Sequence, residues 1–351
     1  MRLSSRKALG IAGRSLRPGR PHHAQWFLTN RCNRQCLSCL AWRNPKPAAE
    51  LPAREVIRGL DILRSLGIIE VVFSGGNPLL RDDIGEILDH ASRSFVTTVY
   101  DNGSLALKKL GALRNADFVA ISLDSLDEAA NDRTRGTGAW RSAMEAIDGL
   151  KKEGVSVAVS VLISQANLRG IVDITKSFTD MGIPVLYCLY GSDSTVEKSL
   201  FRLGARDGDL ALDDRAAAAR VCDELIELKR TRPGVLITTR TLRALKKYFL
   251  TGERAWSCGA LRDFLMIDPG GNVAGCHLKE PGASVFDLPG AWPTRKFREL
   301  RTESAGCETC LYLCYVFYSL HSGALGHLSV LWDRRRMIAS LWRSAAKSSR
   351  R

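Results

Sequence analysis

Three cysteines on one short loop are the residues whose type and spacing most directly indicate chemistry. Cys32, Cys36 and Cys39 form a CxxxCxxC pattern directly after the apolar run 26–30. Three thiolates at this spacing can hold three corners of a cubic iron–sulfur cluster and leave the fourth iron without a protein ligand. An open iron can bind and activate a small molecule. A structural zinc site is the alternative that the cysteines alone leave open.

A second set of cysteines lies near the C-terminus, around a β-hairpin predicted over residues 264–274. Its members are Cys258, Cys276, Cys307, Cys310 and Cys314. Four thiolates in two pairs suit either a second iron–sulfur cluster or a closed tetrahedral zinc site. The N-terminus has no apolar segment followed by a cleavage site, so we expect a reducing cytoplasm and metal ligation rather than disulfides.

The elements that must position the first three cysteines form a repeating pattern. Short β-rich runs alternate with helical runs from residue 24 to about residue 191, which is typical of a parallel sheet with helical crossovers. Strands are predicted at 24–30, 68–74, 95–101, 117–123, 155–163 and 184–190, and helices at 52–66, 81–94, 105–114, 139–154 and 168–182. This pattern predicts an α/β fold, a partial (β/α)6 TIM-like barrel, with the site on the loops after the strands.

The sequence divides into five predicted segments. They are a basic N-terminal tail at 1–23, the barrel core at 24–192, a helical connector at 193–255, a cysteine-rich β-hairpin and helical module at 256–318, and a basic amphipathic C-terminal helix or tail at 319–351. Within the connector, helices are predicted at 194–203 and 213–230.

At the CxxxCxxC motif the chain resembles the radical S-adenosylmethionine (SAM) superfamily. A second motif, Ser74-Gly75-Gly76-Asn77-Pro78, ends the second predicted strand, where that family has a GGEP segment that binds the amino group of SAM. The resemblance covers residues 24–191. It implies that the three cysteines ligate a 4Fe-4S cluster whose open iron is chelated by SAM. One electron then cleaves SAM to methionine and a 5'-deoxyadenosyl radical, which abstracts hydrogen from the substrate.

The resemblance also implies which residues contact SAM at the strand ends. They are Gly75, Gly76, Asn77, Pro78, Asn102, Ser122, Asp124 and Arg135. We expect the two glycines to let backbone approach the methionine end of SAM. Asn77 replaces the usual glutamate, so its amide oxygen is expected to accept from the SAM ammonium in a neutral bond, roughly half as strong as a charge-assisted one. Arg135 is expected at the SAM carboxylate or on the surface, and Asp124 is a SAM or substrate contact or an ordinary loop residue.

The second cysteine set resembles the twitch and SPASM extensions of the same superfamily. That resemblance implies an auxiliary 4Fe-4S cluster on Cys258, Cys276, Cys307 and Cys310, whereas Cys314 either replaces one of them or is a free thiol. In the sixth strand, alternation places Cys188 and Tyr190 on one face. If that face is the barrel interior, either residue can donate a hydrogen atom or proton to a substrate radical; otherwise both belong to the core.

The net charge of +14 is concentrated at the two ends of the chain. Residues 1–23 and 331–351 together hold 12 of the 14 charges, and the body between them is nearly neutral. Basic ends suit an anionic membrane surface at least as well as nucleic acid. The apolar residues after 319 alternate with arginines, which is typical of an interfacial helix, although packing on the barrel is equally consistent with the pattern.

These patterns favour a SAM-dependent radical enzyme that acts on a small-molecule or lipid-linked substrate. Flavodoxin or ferredoxin is the expected electron donor, and the expected location is the cytoplasm or the inner face of a membrane. A peptide-modifying maturase is the first alternative. An alternative of another class is a zinc-containing RNA-binding protein, although the neutral body makes nucleic acid an unfavoured partner.

Overall fold

A single sheet forms the centre of the part of the chain that the computed structural model describes. The described residues are 5–17, 19–39, 41–43, 49–190, 210–308 and 311–336. Within them the sheet has nine strands in the order β6-β5-β4-β3-β2-β1-β7-β8-β9. The sheet is open, because β6 and β9 lie at its two edges.

Six parallel strands make up the barrel part of this sheet. They are β1 (His23–Thr29), β2 (Glu70–Gly75), β3 (Val96–Asp101), β4 (Phe118–Ser122), β5 (Val157–Ile163) and β6 (Val185–Leu189). Each pairs in parallel with the next along the chain. Their valine- and isoleucine-rich runs are buried, as strands covered by crossover helices must be. The six predicted strands and the partial α/β barrel are therefore confirmed.

Helices connect the strands and cover the sheet. Their bounds are α1 (Ser5–Ser15), α2 (Ala53–Leu66), α3 (Ile84–Ser92), α4 (Leu110–Leu113), α5 (Glu128–Arg135), α6 (Ala139–Lys152), α7 (Ile171–Asp180), α8 (Arg215–Thr231), α9 (Thr239–Thr251), α10 (Leu288–Ala291), α11 (Arg295–Ala305), α12 (Leu313–Leu320) and α13 (Gly323–Asp333). The apolar side chains Val56, Leu60 and Leu63 bury one face of α2, which ends at Gly67 in the left-handed conformation.

Two predicted helices are shorter than expected, and a third falls on residues that the structure does not describe. Residues 78–80 form a 3-10 turn, so the helix predicted at 81–94 begins at Ile84. In the crossover predicted at 105–114, only Leu110–Leu113 is α-helical. The helix predicted at 194–203 lies outside the described residues.

The segment predicted as a basic N-terminal tail contains a docked helix. The Lys7 side chain of α1 forms an ion pair with Asp117 at 2.6 Å, and both side chains are almost fully buried. Arg14 of the same helix donates to the backbone carbonyl of Ser94. Basic side chains here bind specific partners beside the sheet, which is why residues 5–15 are helical instead of forming a solvated tail.

The predicted C-terminal hairpin continues the barrel sheet. Strands β7 (Phe264–Ile267) and β8 (Asn272–Ala274) form the hairpin, and β9 (Ala283–Ser284) follows. Strand β7 pairs in parallel with β1, the strand that leads into Cys32, Cys36 and Cys39. The second cysteine set is therefore attached to the sheet beside the first cysteine set.

Polar side chains hold α13 against the neighbouring helices. His321 hydrogen bonds through Nε2 to the Thr238 hydroxyl at 2.7 Å and through Nδ1 to the Ser329 hydroxyl at 3.0 Å. At the end of α13, Asp333 pairs with Lys229 at 2.7 Å. Among the described helices, none is long and apolar enough to cross a membrane.

Candidate active site at the carboxyl ends of the strands

A cavity of about 300 Å³ opens at the carboxyl ends of the parallel strands and is called the inner cavity here. Most of the predicted site residues line it. These are Cys32, Cys36, Cys39, Gly75, Gly76, Asn102, Ser122, Arg135, Cys188, Tyr190 and Cys314. The predicted residues that line the cavity therefore come from five of the six barrel strand ends. Asn77, Pro78 and Asp124 lie next to the cavity without lining it.

The cysteine loop, residues 32–39, is anchored to the segment around α5. The Leu37 amide donates to the Thr134 carbonyl at 2.8 Å, and the Arg34 guanidinium donates to the Thr137 carbonyl at 2.7 Å. The indole nitrogen of Trp42 donates to the Cys36 carbonyl at 3.2 Å. These contacts fix the direction in which the loop leaves β1.

The thiols of this loop suit an iron–sulfur cluster by donor type. Burial raises the pKa values of Cys32 and Cys36 and raises that of Cys39 to about 12. Thiolates in such a buried site are stable only beside a compensating positive charge. The iron ions of a cluster supply that charge. No three Cys, His, Asp or Glu side chains within the described ranges are placed to bind one metal ion. The fit to a cluster therefore rests on the sulfur donors and the cavity they share.

The two glycines of the second motif are required by the close approach of residues 29–31, which lead from β1 into the cysteine loop. A Cβ on Gly75 would lie 2.3 Å from the Thr29 carbonyl oxygen, and one on Gly76 would lie 2.0 Å from that of Arg31. Gly75 also has φ of 128°, which favours glycine. We expected the glycines to let backbone approach SAM. The contacts show another structural role: glycine at both positions lets the end of β2 pack against the chain that leads into the cysteine loop.

Asn77 does not present its amide oxygen to the inner cavity. That oxygen accepts from the Leu79 amide at 2.9 Å and caps the turn at 78–80, while Nδ2 donates to Asp101 Oδ1 at 2.7 Å. The side chain is 1% exposed. Because this oxygen already accepts a backbone hydrogen bond and Asn77 does not line the inner cavity, its expected contact with the SAM ammonium finds no support at this position and stays a prediction.

Asp101 is the carboxylate that the sequence reasoning missed. It ends β3, lines the inner cavity and accepts from Asn77 and from the Gly103 amide at 2.8 Å. Burial raises the pKa of this carboxyl. The sequence feature that could have indicated Asp101 is its position directly before the Asn102-Gly103 pair at a predicted strand end.

Asn102 supports the cysteine loop from the same strand end. Its Nδ2 donates to Asn33 Oδ1 at 2.9 Å, and its own Oδ1 accepts from the Ser104 amide at 3.1 Å. Asn77 also reaches Asn33, at 3.3 Å. The side chain between the first two cysteines is thus held by two neighbouring strand ends.

Arg135 and Asp124 form a two-point ion pair beside the inner cavity. Arg135 donates from Nε to Asp124 Oδ2 at 2.6 Å and from a terminal nitrogen to Oδ1 at 2.9 Å. Although burial lowers the pKa of Arg135, the Asp124 carboxylate raises it above its usual value. Asp124 also accepts from the Leu162 amide at 2.8 Å. The surface alternative for Arg135 is wrong, since its side chain is 12% exposed.

A second cavity of about 510 Å³, called the outer cavity, adjoins the inner one. Ser38 and Leu162 line both cavities. Asp124 lines the outer cavity and its partner Arg135 lines the inner one, so the ion pair lies where the two meet. The two cavities therefore lie next to each other at the ends of β4 and β5.

The second half of the site comes from the sixth strand and from α12. Cys188 and Tyr190 both line the inner cavity, which favours the interior position over simple core packing. Cys188 contacts the Ser160 hydroxyl at 3.9 Å, and burial raises the pKa of its thiol. Cys314 approaches from α12, beside the buried His277, whose Nδ1 hydrogen bonds to the Tyr315 hydroxyl at 2.9 Å.

Three of the C-terminal cysteines lie near one another. The Cys258 pKa is raised by burial and also by the nearby Cys307. The pKa of Lys279 is raised chiefly by its hydrogen bond to Glu303, with smaller contributions from Cys307 and Cys276. Cys310, the expected fourth ligand, lies outside the described residues. Cys314 faces the inner cavity, between this group and the cysteine loop.

An open parallel barrel with three thiols on its first loop and a glycine motif on the second defines a SAM-dependent iron–sulfur enzyme. Residues 26–192, the barrel part of the chain, match the radical SAM superfamily, and this part of the chain belongs to it. The enzyme uses SAM and a 4Fe-4S cluster. The RNA-binding alternative is set aside by this assignment.

Curated relatives are similar over most of the chain. The mycofactocin maturase MftC of Mycolicibacterium smegmatis is 29% identical over 302 residues, 81% of this chain and 74% of MftC. The subtilosin biosynthesis protein AlbA of Bacillus subtilis is 28% identical over 74% of this chain and 55% of AlbA. Among solved structures, anSMEcpe with bound AdoMet has a TM-score of 0.62 at 15% identity, covering 82% of this chain and 84% of that one, which supports the fold.

Proposed function

We propose that this radical SAM enzyme modifies a peptide by hydrogen abstraction in the inner cavity. The observation that carries the proposal is that the inner and outer cavities adjoin at the Arg135–Asp124 pair. A peptide can place one side chain in the inner cavity and its neighbouring residues along the open outer one. Two relatives named for mycofactocin maturation and for biosynthesis of the bacteriocin subtilosin support a peptide substrate.

The SAM cluster is assigned to Cys32, Cys36 and Cys39. When bound, it supplies the electron that cleaves SAM to methionine and the 5'-deoxyadenosyl radical, and a flavodoxin or ferredoxin is the proposed donor. Asp101 is proposed to accept from the SAM ammonium, because Asn77 holds its carboxylate at the cavity wall. Arg135 is proposed to bind the SAM carboxylate, since Asp124 fixes its guanidinium.

The other cavity groups are assigned to the fate of the substrate radical. Cys188 and Tyr190 are the proposed donors of a hydrogen atom or proton, because both line the inner cavity. An auxiliary 4Fe-4S cluster is proposed on Cys258, Cys276, Cys307 and Cys310, and it provides an acceptor for the second electron of a substrate oxidation. Cys314 is proposed to remain a cavity thiol because it lines the inner cavity.

The experiment measures SAM cleavage by anaerobically purified enzyme with a chemical reductant and three substrate sets. These sets are short peptides, lipid-linked small molecules and no added substrate. We expect peptides to stimulate 5'-deoxyadenosine formation and to change mass. Arg133→Ala, in the outer cavity, should raise the peptide KM about 10-fold by removing a charged contact.

The matched control is Arg141→Ala, an exposed arginine on α6 that lines neither cavity. It should leave the peptide KM unchanged. The competing proposal, a small-molecule or lipid-linked substrate, predicts stimulation by that set alone and no effect of Arg133→Ala on KM. That result would reject the peptide substrate while leaving the SAM chemistry intact.

A further inference from the structure

The first and last described helices pack against each other and expose large apolar side chains. Leu9 on α1 and Leu16 directly after it are 74% and 72% exposed, and on α13 Leu325 and Trp332 are 83% and 70% exposed. Leu325 and Trp332 are seven positions apart, so they share a face of α13. Leu328 and Leu331 extend the stripe on α13. These six residues are called the apolar surface.

A cleft of about 450 Å³ lies between the end of α1 and the beginning of α13. His22 lines it with a side chain that is 3% exposed and an Nε2 without a hydrogen-bond partner. The first turn of α13 opens on the same cleft at Gly323, and the Ser322 side chain does not cap it. The backbone amides of a helix N-terminus without a side-chain cap, beside the arginines that line the same cleft, are an arrangement suited to an anion.

The charge around this cleft is positive. Arg17, Arg20 and Arg262 line it, and Asp263 is the one acidic side chain among its described lining residues. Asp263 is already paired with Arg262 at 2.9 Å. Two arginines therefore remain to attract an anion without a carboxylate of their own in the cleft.

We propose that the apolar surface and this cleft form a docking site for an anionic phospholipid membrane. The phosphate of one lipid enters the cleft, and the leucines and Trp332 enter the acyl boundary. An exposed leucine stripe offers little to nucleic acid, whose bases stack on aromatic rings, and a second copy of this chain would bring like-charged arginines together. The inference does not rest on the peptide substrate.

The docking site lies at the opposite end of the sheet from the inner cavity. His22 directly precedes β1, whereas the cysteine loop follows that strand. Membrane binding can therefore hold the enzyme at a surface and leave the substrate opening free. SAM cleavage should be the same in every variant described below.

The test measures binding of the full-length, anaerobically purified protein to vesicles. The probes are phosphatidylcholine vesicles with and without phosphatidylglycerol, compared by co-sedimentation. Leu325→Ser combined with Leu328→Ser should weaken binding at least about 10-fold, and Arg20→Gln about 5-fold in the anionic vesicles alone. The matched controls are Leu250→Ser and Arg54→Gln, which are exposed residues away from this surface. Both should bind like the parent protein.

Three results would overturn the proposal. The first is equal binding by the parent and the double leucine variant, and the second is binding of tRNA or DNA without binding of anionic vesicles. The third is a dimer in solution that the leucine variant dissociates, again without vesicle binding. Excess inorganic phosphate should reduce vesicle binding only slightly, because the leucines contribute independently of the cleft; complete competition would also contradict the proposal.

Discussion

Two buried ion pairs lie at opposite ends of the central sheet. At the amino end, Lys7 and Asp117 are 2.6 Å apart with side chains 2% and 3% exposed. At the carboxyl end, Arg135 and Asp124 make a two-point contact with side chains 12% and 8% exposed. The first pair is sealed against Thr97, whose amide donates to Asp117 at 2.9 Å. The second lies where two cavities meet.

The difference shows that burial of a charge does not by itself identify a functional site. Both pairs bear the cost of removing charges from water, and both recover it through close contact and further hydrogen bonds. Only the Arg135 guanidinium also faces a cavity where a ligand can bind. The Lys7 ammonium docks a helix, whereas the Arg135 guanidinium is available for recognition.

Breaking the sealed pair should produce the largest loss of stability. Lys7→Met leaves the Asp117 carboxylate buried without its cation, so we expect the free energy of unfolding to fall by about 3–5 kcal/mol. Chemical denaturation followed by circular dichroism measures this change. SAM cleavage per folded molecule should be preserved.

The control for that experiment is an exposed ion pair. Arg141→Met removes a contact with Glu128 whose side chains are 70% and 46% exposed, and it should cost less than about 1 kcal/mol. Equal losses for the two variants would mean that the Lys7 pair contributes no more than a surface contact.

At the carboxyl end, Asp101→Asn should weaken SAM binding most. Loss of a charged hydrogen bond to the ammonium corresponds to an increase in the SAM Kd of about 10- to 150-fold. Equilibrium dialysis measures the Kd without turnover. A SAM analogue without the α-amino group should bind the parent and the variant equally, because it lacks the group that Asp101 recognises.

A charge swap provides the matched control. Asn77 and Asp101 hydrogen bond at 2.7 Å, and the double variant N77D/D101N exchanges the amide and the carboxylate between these two positions. It should recover part of the SAM affinity. A swap variant as weak as Asp101→Asn, together with an analogue that discriminates between parent and variant, would exclude the ammonium contact.

Arg135→Lys tests the recognition role of the second ion pair. Lysine keeps the charge but loses the two-point geometry, so we expect about a 10-fold increase in the SAM Kd. The change in the free energy of unfolding should be below about 1.5 kcal/mol, because the lysine can still pair with Asp124. A large stability loss with unchanged SAM affinity would make this pair equivalent to Lys7–Asp117.

The sequence predicted what depends on local pattern. The six parallel strands could be predicted because each is an apolar run between helical segments, and the cysteine loop because its spacing is local. Lys7 could not be predicted to be buried, since its partner Asp117 is 110 residues away. The position of Asp101 likewise depends on its hydrogen bond with Asn77 from the neighbouring strand end, which local pattern does not reveal.

The buried imidazole of His321 is neutral, in contrast to the two buried ion pairs, and its expected effect on stability is the smallest of those described here. Burial lowers the pKa of His321 to about 4, with smaller contributions in the same direction from Arg240, Arg334 and His23 and an opposing one from Asp333. The native state therefore binds fewer protons than the unfolded chain between about pH 6.5 and pH 4. Stability is fully present above pH 6.5 and is lost as the pH falls through this window.

Between pH 7 and pH 5.5 we expect His321 to account for about 1 kcal/mol of lost stability. His327, whose pKa burial also lowers to about 4, contributes in the same direction. His321→Gln should therefore reduce the pH dependence by about half, as measured by urea unfolding at several pH values. His90→Gln, at a partly exposed side chain on α3, should leave the pH dependence unchanged. An unaltered pH dependence in His321→Gln would show that burial between α9 and α13 does not lower the pKa of this imidazole in the native state.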